Sequence, residues 1–243
     1  MEQKIFRCKH PLCRAARSGF TGTFFARHKA PVNRIVEAAY FWLAKSTNKQ
    51  IETYTGMSNV TVSSLVNYFR EHVADTLDEI DFVIGGQGVT VEIDETKLGK
   101  RKYNKGHRVE GVWVLVGVER SEERKIFLRI LPNRTAKTLE EMILRHVLPG
   151  TTIITDCGRG YNTLESHGYI HQTVNHSRTF KDEETGACTN TVEGTNNAIK
   201  MSIHPRNRTS ECEDSLWEFI WRRRHEEDLW NGFLRSLVEV NYE

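Results

Sequence analysis

Three carboxylates in this chain stand where acidic side chains can do metal chemistry. Asp94 closes an alternation of Val89, Val91 and Ile93 with Thr90, Glu92 and Asp94, the two-residue period of a half-buried strand, and so sits at its polar end. Asp156 ends the short buried strand expected over Thr151–Thr155, and Glu193 falls in the first turns of a helix expected over Thr189–Met201. Alone, each acid reads as a surface charge; their joint placement on strand, strand and helix is what points to chemistry. Hard oxygen ligands suit Mg²⁺ or Mn²⁺, and two such ions roughly 4 Å apart can stabilise both the attacking and the leaving oxygen of an in-line phosphoryl displacement. Asn197 and Lys200 lie on the same helix face as Glu193, so the lysine can reach a phosphate beside the metals. Behind the first strand, Lys97, Lys100, Arg101, Lys102, Lys105, His107 and Arg108 form a cationic segment suited to a polyanion.

The elements that must position these groups follow from periodicity. After the first strand, Gly111–Glu119 and Lys125–Leu131 read as two more, joined by short connections that favour an antiparallel meander. A helix over Thr135–Val147, the strand Thr151–Thr155, a helix over Tyr161–His167, the strand Ile170–Val174, a polar loop and the Glu193 helix complete the order β-β-β-α-β-α-β-α. In a sheet of this order the first and fourth strands are neighbours, which sets Asp94 beside Asp156. The residues Glu213–Leu237 read as one long helical stretch, whose Arg222-Arg-Arg-His225 run favours a solvated face on a helix covering the sheet over direct phosphate contact.

Upstream, an amphipathic helix over Val32–Ala44 and a short helix over Asn48–Thr55 reach Gly56, and Ser58 caps a longer helix to about His72. Helix, glycine turn and helix make a helix-turn-helix, whose second helix would offer Asn59, Thr61 and Asn67 to base edges and phosphates. Helical hairpins with a turn glycine also occur in proteins that never meet DNA. An acidic stretch and Gly85-Gly-Gln-Gly88 read as the link to the next unit, giving divisions at 1–30, 31–84 and 85–243.

Composition bounds the function classes. With 243 residues, 38% hydrophobic and 27% charged, the chain can bury a real core, and its formal charge of +2 leaves nucleic-acid binding to local clusters. No apolar run approaches the roughly twenty residues a membrane span needs, and Met1-Glu-Gln-Lys opens no signal peptide, so a soluble intracellular protein is expected. Five scattered cysteines argue for a reducing compartment. Cys8 and Cys13 have the spacing of one zinc knuckle, but no second pair follows, and free thiols are favoured over bound zinc.

The motifs, taken together, resemble a known family. Asp94-Glu-Thr, Thr155-Asp156-Cys with Arg159-Gly-Tyr, Asn175-His176-Ser, Thr189-Asn-Thr-Val-Glu193-Gly-Thr-Asn-Asn-Ala-Ile-Lys200 and Arg206-Asn-Arg-Thr look like those of the DDE transposases of the Merlin superfamily and its bacterial insertion-sequence relatives. The thirty-six residues between Asp156 and Glu193 are similar to the spacing of that superfamily. The resemblance implies an α/β, RNase H-like catalytic core, a mixed five-stranded sheet flanked by helices, preceded by the small helix-turn-helix unit. It also implies two Mg²⁺ or Mn²⁺ ions on Asp94, Asp156 and Glu193. Water would first expose a 3′-hydroxyl at a transposon end, and that hydroxyl would then attack target DNA. Double-stranded DNA, bearing the terminal inverted repeats or the target, is the implied partner, held by a homo-oligomer, with the basic hairpin, Arg206 and Arg208 among the contacts. The implied location is the nucleus of a eukaryote or the nucleoid of a bacterium. Phe6–Cys13 resembles the second half of the family's zinc ribbon, as though the chain began late. Gly158 and Asn196 stand where the family pattern has tryptophan, and Cys188 where histidine is common. The alternatives are a host-retained copy that binds DNA without cutting it and a junction-cutting nuclease on the same core.

Overall fold

The computed structural model describes residues 5–10, 12–26, 28–99, 111–156, 159–174 and 189–242. Lys100, Arg101, Lys102, Lys105, the Asn175-His176-Ser motif, Cys157, Gly158 and Cys188 lie outside these. In chain order the elements are β1 (Ile5–Arg7), β2 (Ala16–Ser18), α1 (Val32–Leu43), α2 (Asn48–Thr55) and α3 (Asn59–Ala74). Then come β3 (Ile84–Gly85), β4 (Thr90–Leu98), β5 (Val112–Glu119), β6 (Ile126–Leu131), α4 (Ala136–His146), β7 (Val147–Leu148), β8 (Thr152–Asp156) and β9 (Ile170–Val174). Helices α5 (Asn190–Ser202), α6 (Glu213–Arg224) and α7 (Leu229–Glu239) follow. The chain forms two compact units, Met1–Thr76 with His225–Glu243, and Leu77–Arg224.

In the first unit, local signals start and stop the helices. Thr47 and Gln50 form a reciprocal capping box at the start of α2, and Gly56, with φ of 69°, takes the left-handed conformation that ends it. Ser58 accepts from the Thr61 amide and opens α3. The apolar faces of α1, α2 and α3 bury Ile35, Trp42, Ile51, Leu65 and Phe69. Phe233 of α7 joins them, its ring centroid 5.8 Å from Phe69 and 6.1 Å from Trp42. The single helix expected over Glu213–Leu237 is therefore two helices, and its last part packs with the N-terminal unit rather than with the sheet. Asp228 makes the break: its Oδ1 accepts from the Asn231 amide at 2.9 Å and starts α7 afresh.

The second unit is built on a five-stranded mixed sheet ordered β6-β5-β4-β8-β9. β5 runs antiparallel to β4 and β6, whereas β8 runs parallel to β4 and β9. An antiparallel meander followed by two parallel crossover strands is the RNase H-like arrangement, with the first strand in the centre. Val91, Ile93, Val114, Val116, Phe127 and Ile153 are buried in its core. Gly117 is required where it stands, because a Cβ there would run into the Phe127 ring. The helix expected over Tyr161–His167 is instead a pair of 3-10 turns, Arg159–Tyr161 and Leu164–His167. Gly160 lies close against Leu139 and Gly168, at φ of 83°, ends the second turn, leaving no length for an α-helix. The half-buried first strand expected from alternation is covered on both faces. His146 of α4 stacks on Phe127 on the Ile93 face, while α5 lies on the Glu92 face.

Candidate active site

β4 is longer than its alternation suggests, so Asp94 is not at its end but just past the last residue paired with β8. Glu92 pairs with Ile154, and the same register carried two residues further sets Asp94 beside Asp156, the last residue of β8. Burial, then the nearby Asp156 and then Glu95 push the Asp94 carboxyl up to about 6. Burial is the larger cause and the neighbouring carboxylates add to it; a divalent cation bound between Asp94 and Asp156 would relieve the repulsion.

Helix α5 approaches this pair along one stripe. The main-chain amide of Val192 donates to Glu92 Oε2 at 2.9 Å, and one turn later Asn196 Nδ2 donates to Asp94 Oδ2 at 2.7 Å. Asn196 Oδ1 is buried with no hydrogen-bond partner among the described residues. Glu193 follows Val192 and precedes Asn196 by three positions, so its exposed carboxylate flanks the Asn196 contact. Thr189 Oγ1 donates to Glu193 Oε1 at 3.2 Å. Among the described residues, no three His, Cys, Asp or Glu side chains come close enough together to hold one metal ion. Asp94 and Asp156 thus stand as an adjacent pair, and Glu193, exposed in the first turn of α5, does not close with them into a three-acid group among the described residues. The donors are carboxylate oxygens, hard ligands that fit Mg²⁺ or Mn²⁺, and a charge-repelled pair is what a dication would draw together.

On the opposite face of β4, Glu95 accepts from the Tyr161 hydroxyl and from Arg134 Nη2, the latter at 2.7 Å. Burial and the neighbouring Glu95 keep the Tyr161 phenol protonated. The Arg134 guanidinium lies 4.0 Å from the Trp113 ring centroid, and Lys97 Nζ lies 5.6 Å from the same ring. This network braces the strand beneath Asp94.

A model of the ISXO2-like transposase domain matches residues 85–214, more than half of the chain. The chain belongs to the ISXO2-like transposase domain family. Two solved structures also match: a pre-cleavage Mos1 transpososome, 9% identical over 88% of this chain and 81% of that chain with a TM-score of 0.24, and a Mos1 transposase paired-end complex with the left transposon end, 11% identical over the same shares with a TM-score of 0.25. No curated protein matches significantly.

Within the ISXO2-like domain and the unit before it, the remaining expected residues take up distinct places. Lys200 is half-buried in the last turn of α5. Arg208 donates from Nε to the Ile203 carbonyl at 3.0 Å and from Nη2 to the Lys200 carbonyl, so its guanidinium closes the C-terminal end of α5. Arg206 is exposed in the adjoining 3-10 turn. Asn59 opens α3 and donates to Glu52 of α2, Thr61 shares its hydroxyl with Ser58 at 2.9 Å, and Asn67 accepts from Arg70 at 3.2 Å. At the N-terminus Cys8 and Cys13 are exposed free thiols beside the β1–β2 hairpin, and a hydrogen bond with the Ala15 backbone, then one with Cys8, lowers the Cys13 thiol. Glu92, Asn196 and Tyr161 were noted in the sequence but assigned no part in the site. A usable signal existed for the first two: Glu92 shares a strand face with Asp94, and Asn196 is a polar residue three positions after Glu193 on the same helix.

Proposed function

We propose that this chain is a metal-dependent DNA transposase that cleaves transposon ends and transfers the exposed strand to target DNA. The observation that carries the reading is the placement of Asp94 and Asp156 side by side on parallel strands, with α5 docked over them. Bound Mg²⁺ or Mn²⁺ ions would activate the attacking oxygen and neutralise the leaving one. Asp94, Asp156 and Glu193 would hold them, and Lys200 would meet a flanking phosphate. The first unit would read terminal inverted repeats through α3, using Asn59, Thr61 and Asn67, while Lys97, the basic segment after it and Arg206 would hold the DNA backbone, with a homo-oligomer bridging two ends. Assignment to the Merlin superfamily rests on the motifs quoted above and belongs to this proposal.

A second reading, a DNA-binding copy that does not cut, draws support from the position of Glu193 outside a closed three-acid group. Labelled inverted-repeat DNA incubated with the protein and Mn²⁺ separates the two. Nicking at the repeat end, abolished by Asp156→Ala, is expected; binding without any nick overturns the enzyme.

A further inference from the structure

Glu92 is a buried acid that metal binding does not use. It is 0% exposed, two residues before Asp94 on the same strand face. A carboxylate in that place needs partners to offset its desolvation, and it has two of different kinds. Arg120 Nε donates to Oε1 at 2.6 Å, and the Val192 main-chain amide donates to Oε2 at 2.9 Å. The second partner lies in the first turn of α5, where amides lack intrahelical acceptors and the helix dipole favours a negative charge. The neighbouring bond from Asn196 to Asp94 repeats the pattern one turn later on the helix and one inward position later on the strand.

We propose that Glu92 is a positioning residue: with Arg120 neutralising its charge, it pins the N-terminus of α5 to β4 and so sets where Glu193 stands relative to Asp94 and Asp156. This rests on the metal-dependent reading above. A main-chain contact fixes the helix axially whatever its side chains do, and Glu193 lies between the two pinned positions, so a shift at Val192 displaces Glu193 directly. Glu92 touches no reacting atom; it acts through the helix.

The test uses the full chain. Amide exchange at Val192 by NMR, Mn²⁺ affinity by EPR titration and affinity for inverted-repeat DNA are compared in wild type, Glu92→Ala and the double variant Glu92→Gln/Arg120→Leu. In Glu92→Ala, Val192 exchange should speed up at least tenfold and Mn²⁺ binding weaken about 10- to 100-fold, with DNA affinity unchanged. The double variant restores an uncharged acceptor for Val192 without stranding an arginine, and should recover both readouts to within a few-fold. Unchanged Val192 exchange, or unchanged Mn²⁺ affinity, in a folded Glu92→Ala protein overturns the proposal. Should that variant not fold, Glu92→Asp carries the test: it keeps the charge for Arg120 but falls one methylene short of Val192, so the same losses are expected and their absence is equally fatal. Neither exchange nor Mn²⁺ binding requires DNA cleavage. A wild-type protein that nicks nothing therefore defeats the transposase reading while these measurements still decide the pin.

Discussion

Replacing Asp94 with asparagine should make the metal-free protein more stable at neutral pH, although it destroys a proposed metal ligand. The Asp94 carboxyl is raised from 3.8 to about 6, so the folded state binds a proton more tightly than the unfolded chain does. The sign follows: no penalty exists below the unfolded value, stability falls as pH rises through the folded value, and the full cost remains above it. That rise corresponds to at most ~3 kcal/mol, and solvent screening of a partly exposed group reduces this to about 1–2 kcal/mol. The amide introduced by Asp94→Asn retains an oxygen to accept from Asn196 Nδ2, so the geometric contact survives. For a unit of this size the melting transition should rise by roughly 2–8 °C. Calorimetry of EDTA-treated protein is the assay, run near pH 7.5 and again near pH 4. The gain should be present in the first and nearly gone in the second, and added Mn²⁺ should stabilise wild type more than the variant. A lowered melting temperature at neutral pH, or an equal gain at both pH values, would refute the electrostatic account.

Other perturbations test different links. Glu193→Gln should keep DNA affinity and lose nicking, because the helix stays intact and one proposed ligand is weakened; gel shift and cleavage on the same preparation check it, and a collapse of affinity would mark Glu193 as structural. His72 is buried, bonded to Ser236 at 2.7 Å and pushed down to about 4 by desolvation, so the unfolded first unit takes up a proton first as pH falls. Stability of that unit should thus be full above about 6.5 and fall by up to about 3 kcal/mol toward pH 4, and His72→Gln should flatten the slope of urea midpoint against pH. Gly117→Ala should cost roughly 1–3 kcal/mol by overpacking against Phe127, partly recovered with Phe127→Leu, as read by urea melts. Asn67→Ala should weaken binding to inverted-repeat ends more than to random DNA; equal losses on both would count against base readout.

Much of the architecture was legible because it is local. Alternation marked the strands, glycine and serine marked the ends of α2 and α3, and the order of elements placed Asp94 beside Asp156 before any coordinates. The break between α6 and α7 left a local mark, the seven polar residues from Arg222 to Asp228 between Trp221 and Leu229, but such a run also suits a solvated stretch of continuous helix, and only the packing of Phe233 against Trp42 and Phe69 shows where the last helix belongs.

By itself the sequence determined which residues are acidic, how far apart they lie and which elements carry them, because hydrogen-bond period and side-chain chemistry are properties of short stretches. The tertiary structure alone decided that Glu92, polar by type, is buried, and that Asn196 meets Asp94. A strand's polar face looks the same in sequence whether water or a helix covers it. The carboxylate that could be mistaken for a surface charge is held in the interior by a guanidinium and a main-chain amide contributed from distant positions.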